Sequence, residues 1–213
     1  MNRNYQKELE KIIREIGERE VKPSLLLHAC CAPCSSYCLE YLAKFFDITI
    51  FYFNPNIAPK SEFDYRVSEL RGLLRKLPEA SGVKLVVGRY DYKEFLDAVR
   101  GYESEPERGE RCTICYRLRL EESAKYASEH NFDYFTTTLS ISPYKDAVRL
   151  NSIGEELAGI CGTAYLVSDF KKNNGYKRSI ELSAEYNLYR QNYCGCAFSK
   201  AEAEGKRRNN IEV

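Results

Sequence analysis

The chain has 213 residues, which suits one generous domain, and its 44% hydrophobic and 30% charged residues are ordinary for a soluble globular protein. Its 32 basic and 31 acidic side chains leave a net charge of +1, which excludes the global basic field of a protein that holds nucleic acid by charge alone. No apolar run approaches the ~20 residues of a membrane span, and the charged N-terminus lacks the apolar block of a signal peptide, so a cytoplasmic protein with no membrane partner is expected.

Residues 5–17 carry Leu9, Ile12, Ile13 and Ile16 at the spacing of one helical face, so 1–21 reads as an N-terminal helical extension. SLLLH (24–28) predicts a buried strand, Ala29 to Ser35 a loop, and SSYCLEYLAKFF a helix. ITIFYF (48–53) is a second strand, rich in β-branched and aromatic residues, and NPNIAP (54–59) a loop. An amphipathic helix over 61–77 puts Phe63, Val67, Leu70, Leu73, Leu74 and Leu77 on its apolar side. VKLVVG (83–88) is a third strand, and Asp91 caps a short helix. A polar loop (103–111) precedes a helix from Thr113 to His130, a strand at 133–139, a helix over 144–160 and a last strand at 163–170. A further helix begins near Tyr176, 191–197 is a loop, and 199–213 is a polar C-terminal tail with a short helix.

This alternation predicts a single α/β domain over 1–213: a mostly parallel sheet of about five strands with helices on both faces, Rossmann-like or HUP-like. Ligands in such sheets bind outside the carboxyl ends of the strands. The unusual residues of this chain follow strands: HACCAPC the first, NPN the second, SISPYK the fourth and DFKK the fifth. One composite site is expected there.

Cysteine is the outlier, with nine residues. In a reducing compartment they point to metal or redox chemistry rather than disulfides. Seven fall into three groups: Cys30, Cys31 and Cys34 in HACCAPC; Cys112 and Cys115 in RCTIC, opening a helix; Cys194 and Cys196 in YCGC. A Cys-x-x-Cys pair at a helix start lets two sulfurs converge where free N–H groups favour thiolate. Adjacent cysteines point apart and so can serve two metals, and the glycine in Cys-x-Cys permits a tight bend. Seven thiols exceed one tetrahedral zinc, yet spacing alone leaves an iron–sulfur cluster, zinc and dithiol chemistry all open.

The remaining Cys38 and Cys161 read as core residues, and His28, ending a buried strand, as hydrogen-bonded packing. Asp146 and Asp169 read as proton donors or caps. The basic stretches KKNNGYKR (171–178) and KRR (206–208) read as solvated surface. The first strand-to-helix loop has no glycine-rich phosphate cradle, which argues against ATP binding there.

HACCAPCSS, FYFNPNIAP, RCTICYRLRL, FTTTLSISPYKD and YRQNYCGCAFS, in that order, closely resemble the epoxyqueuosine reductase family of the QueH type, over roughly residues 23–198. The resemblance implies a two-electron reductive deoxygenation of epoxyqueuosine to queuosine at the tRNA wobble position, the last step of queuosine biosynthesis. It implies a 4Fe–4S cluster and an adjacent mononuclear iron, with the anticodon loop of tRNA and an external electron donor as partners. Carried onto this chain, it assigns Cys30, Cys112, Cys115 and Cys194 to the cluster, and Cys31, Cys34 and Cys196 to the second iron and to catalysis. Many relatives of that family carry aspartate at this position, so Cys34 is a softer ligand here. A tyrosine or Asp146 is the candidate proton donor, and Asn54, Asn56, Lys145, Lys171 and Arg190 are the candidate substrate contacts. Two other functions compete: an iron–sulfur-dependent tRNA thiolation enzyme, which needs ATP, and a non-catalytic zinc-stabilised RNA-binding module. The oligomeric state is not legible.

Overall fold

The structure is a computed structural model that describes residues 3–209, with side chains through Gly205. The KRR stretch and the last residues of the polar tail therefore lie outside the described side chains. Five parallel strands form one sheet: β1 (Ser24–His28), β2 (Asp47–Tyr52), β3 (Lys84–Val87), β4 (Tyr134–Thr137) and β5 (Ala164–Tyr165). Their order is β3-β2-β1-β4-β5, which is the expected α/β layout. The chain winds outward from β1 in one direction, then returns to build the other half. The crevice where that order reverses lies between the carboxyl ends of β1 and β4.

Side-chain alternation on the strands feeds two cores. Leu25 and Leu27 of β1 face one core and Leu26 the other, all fully buried. Each such leucine contributes about 1.5–3 kcal/mol of burial. The first core is closed by α1 (Tyr5–Gly17), α2 (Ala32–Leu42) and α3 (Lys60–Lys76). The second is closed by α5 (Glu110–Glu129) and α6 (Ala147–Cys161). A small third cluster joins α4 (Tyr92–Ala98), with Phe95, to Cys115, Cys196 and Phe198. The last helices are α7 (Gly175–Glu185) and α8 (Ala197–Asn209).

Several boundaries differ from expectation, each for a local reason. The segment 29–35 is not a loop throughout, because α2 begins at Ala32. Pro33 sits in its first turn, where a missing N–H costs nothing. Helix α5 starts at Glu110, which places Cys112 inside the first turn. β5 is two residues long rather than eight. Past it, the amide side chain of Asn151 takes both the N–H and the C=O of Ser168, each at 2.8 Å, in place of a ladder partner. The helix expected from 144 starts at Ala147, capped by Asp146. Helix α1 is no appendage: Leu9, Ile13 and Ile16 are core residues. Nor does a tail begin at 199, since Ser199 is buried within α8. No helix among the described residues is long and apolar enough to cross a membrane.

Candidate metal centre

The first thiol set comes from the turn between β1 and α2. Cys31 is the extended residue before the helix, and Cys34 stands in its first turn. The backbone is fixed there by Ser35, whose N–H and hydroxyl both donate to Cys31 O, at 3.2 and 2.8 Å. As a result the sulfurs of Cys30, Cys31 and Cys34 all lie within 4.8 Å of one another. Cys30 is the natural thiolate of the three. Hydrogen bonds from Cys31 and Cys34 hold its pKa well below the ordinary value, while the same contact with Cys30 pushes Cys31 up to about 12 and Cys34 well above the ordinary thiol value. A metal ion displaces such protons on binding.

The second set joins two distant segments. Cys112 and Cys115 project from the first turns of α5; Cys194 and Cys196 lie in the loop before α8. All four line one small cavity with Phe95, Asn56 and Tyr116. Burial pushes Cys115 up to about 11 and Cys196 to about 12. The C-terminal loop is pinned from behind: Ala58 N–H donates to Gly195 O at 3.1 Å, and Arg66 Nη1 donates to Cys194 O at 3.1 Å. Gly195 has φ +120, and a Cβ there would meet Arg66 Nη1 and Ile57 Cγ1 at 3.0 Å. Only glycine fits this position between the two cysteines.

Cys30 thus shares a turn with Cys31 and Cys34, and Cys196 shares a cavity with Cys112, Cys115 and Cys194. All nine cysteines are free thiols. Cys38 is core, as expected; Cys161 ends α6 half-buried, packed against the second core.

The two sets meet at a larger cavity of about 850 Å³, lined by Cys30, Cys31, Cys34 and Cys194 together with Tyr144, Tyr176, Tyr193 and Arg190. Cys194, Lys145, Glu107 and Ser199 line both cavities. Lys145 is only 6% exposed; its Nζ donates to Cys194 Sγ at 3.1 Å and pairs with Glu107 at 3.5 Å.

The other candidate residues divide. Arg190 lines the large cavity and Asn56 the small one, where its Oδ1 has no partner. Asn54 is turned inward: its Nδ2 donates to Ala29 O at 2.8 Å and its Oδ1 accepts from Arg119 Nη2 at 2.5 Å. Lys171 pairs with Asp169 and lines neither cavity. The Asp146 carboxylate is occupied as the α6 cap, accepting from the N–H groups of Val148 and Arg149, and it too lines neither cavity. His28 is packing, as expected. Its Nε2–H donates to Phe53 O at 3.1 Å, its Nδ1 accepts from the Thr137 hydroxyl at 2.8 Å, and burial lowers its pKa to about 3.

Sequence reading missed two buried guanidinium groups beside the thiols, Arg66 and Arg119. Arg66, on α3, is 1% exposed, pairs with Glu62 at 2.7 Å and lies over the Tyr193 ring. Arg119 is equally buried. One signal was available: Cys112, Cys115 and Arg119 stand at i, i+3 and i+7, one face of a helix.

These residues fit an anionic, thiolate-bound metal group. Seven thiols converge on adjoining cavities, and the neighbouring buried cations include donors without acceptors: Arg119 Nε and Nη1, and Arg66 Nη2. Burying charged donors unpaired is costly unless negative charge stands beside them.

A family profile described as epoxyqueuosine reductase QueH matches residues 25–202. An epoxyqueuosine reductase QueH of Staphylococcus epidermidis is 44% identical over 92% of this chain and 84% of its own length. One from Streptococcus pyogenes serotype M1 is 42% identical over 92% of this chain and 78% of its own. One from Dehalococcoides mccartyi is 34% identical over 86% of this chain and 96% of its own. Among solved structures, the U34-tRNA thiolase NcsA of Methanococcus maripaludis is similar at TM-score 0.49 and 14% identity, covering 91% of this chain and 67% of that one, a likeness too slight to bear on chemistry.

Proposed function

The chain belongs to the epoxyqueuosine reductase QueH family, and from that premise we propose that it is an oxidoreductase converting epoxyqueuosine to queuosine at the wobble position of tRNA, with an iron–sulfur cofactor held by its clustered cysteines. The observation that carries this reading is the convergence of seven thiols, from three separate segments, on two adjoining cavities. A structural zinc uses four ligands and leaves three of these thiols without a role.

Cys112, Cys115, Cys194 and Cys196 would hold a 4Fe–4S cluster, and Cys30, Cys31 and Cys34 the adjacent iron. This partition groups the thiols by the turn or cavity they share; the resemblance implies the alternative, with Cys30 on the cluster and Cys196 on the second iron. Bound there, an iron–sulfur group supplies electrons one at a time to a neighbouring acceptor. The net reaction takes up two electrons and two protons, breaks both C–O bonds of the epoxide and releases water. The electrons enter from an external donor.

The residues of the chain bind and orient. The large cavity, at about 850 Å³, is of the size that encloses a modified nucleoside, being within the usual ~300–1,000 Å³ of ligand pockets. A wobble base splayed from the anticodon loop enters it as single-stranded RNA usually presents its bases. Tyr176 and Tyr193 offer flat faces and hydroxyls to that base, Arg190 a charge at the mouth, and Lys145 keeps positive charge between the two thiol sets. The tyrosine hydroxyls that line this cavity would deliver the protons, a role supported by their lining it while Asp146 caps α6.

Anaerobic purification with iron, sulfide and zinc analysis tests the reading. The expected result is a brown protein with about five irons and four sulfides that converts epoxyqueuosine in tRNA when reduced. Stoichiometric zinc without sulfide would overturn it.

A further inference from the structure

Among the described residues, Arg119 is the one buried cation of the site with no acidic partner. Arg66 has Glu62, and Lys145 has Glu107. Arg111, also buried, donates to the carbonyls of Glu103 and Glu105 and to Glu202. Arg119 has a neutral partner, Asn54, on Nη2, and its Nε and Nη1 have none. Asn54 is itself anchored to Ala29 O, beside the double cysteine. The guanidinium is thereby held in place by one hydrogen bond, with its other donors free.

Arg119 stands one helical turn after Cys115 on α5, and Asn54 ties its guanidinium to Ala29 O, next to Cys30. The charge is thereby linked to a cysteine of each thiol set. Burial works against that charge, and the neighbouring cysteines, Cys115 first, favour it. A guanidinium cannot lose its proton, and its planar fork gives direction to its N–H groups. N–H donors and positive charge near the sulfurs of an iron–sulfur group stabilise its more negative, reduced form.

We propose that Arg119 is the potential-setting residue of this centre: its buried charge and unpartnered N–H groups, one turn from Cys115, raise the reduction potential of the group the cysteines hold. It acts through ligands, so it is a positioning residue and not a catalytic one. The inference rests on the iron–sulfur reading above. Sulfide analysis of the unsubstituted protein tests that reading separately.

The test is a redox titration, followed by electron paramagnetic resonance, of the reconstituted protein and of Arg119→Met, Arg119→Lys and Asn54→Asp. Asn54→Asp is nearly isosteric and sets a carboxylate against the guanidinium, at the loss of the bond to Ala29 O, so Asn54→Leu, which loses that bond without adding charge, is its control and should shift the midpoint less. Among proteins with equal iron and sulfide content, the midpoint should move to lower potential in Arg119→Met and in Asn54→Asp, and less in Arg119→Lys, which keeps the charge. If Arg119→Met fails to fold, Asn54→Asp decides alone. An unchanged midpoint in fully loaded Asn54→Asp overturns the inference, whatever the activity.

Discussion

The two thiol sets are built in different ways. Cys30, Cys31 and Cys34 come from five consecutive residues at one strand-to-helix turn, and their sulfurs converge because Cys31 precedes α2 and Cys34 stands in its first turn. The set of Cys112, Cys115, Cys194 and Cys196 joins α5 to a loop some eighty residues further along the chain, pinned by Arg66, Ala58 and Lys145. Local backbone geometry preorganises the first set; tertiary closure makes the second. The first should therefore survive damage that dismantles the second.

Four substitutions break or sharpen that contrast. The largest effect is expected from Arg66→Met, which leaves Glu62 without its partner and unpins Cys194. Removing one member of a buried ion pair costs about 3 kcal/mol, to be read from urea denaturation, and sulfide content should fall with it. Gly195→Ala comes next. Positive φ and two contacts at 3.0 Å should cost about 1–3 kcal/mol, with loss of sulfide but retention of iron at the other set in metal analysis. Retained sulfide would show that the loop tolerates a side chain and that the pinning is not needed.

Cys34→Asp probes the local set and should hardly change stability. It keeps a ligand but a harder one, so the protein should retain its sulfide and bind the second metal with altered preference, seen in competition between iron and zinc. The smallest effect is expected far from both sets, in Asp133→Asn. Asp133 receives the N–H and hydroxyl of Ser24 at 2.8 and 2.7 Å, and the hydroxyl first, then the N–H, hold its pKa below the usual carboxylate value. A depressed folded pKa gives stability that is present above the ordinary pKa of an aspartate and is lost as pH falls through the folded one. Asp133→Asn should flatten the acid limb of the pH–stability curve slightly, with metal content untouched. Because Asp133 is exposed, a large loss would contradict this assignment.

Much of this was legible from sequence. Strand positions, the three cysteine groups and the face on which they meet follow from hydrophobic pattern and from the order of β and α segments. Unreadable were features that depend on what arrives from elsewhere. β5 ends early because Asn151 takes the backbone of Ser168, and no local pattern announces that competition. Asn54 reads as a loop residue facing a ligand, yet Arg119 draws it inward. Asp146 reads as a proton donor or a cap, and only the assembled first turn of α6 shows it capping. Arg66 and Arg119 lie on helices where a charged residue ordinarily marks the wet face. Only the assembled thiols give a reason to bury them.

The placement of Cys194 and Cys196 also sets an order for making the protein. Chains fold from the N-terminal end as they are synthesised, and the last strand ends at Tyr165, well ahead of the loop that carries these cysteines. The sheet and the triad turn are therefore complete while the inner cavity still lacks a wall. The inner chamber stays open until YCGC arrives against Arg66 and Ala58 and closes it.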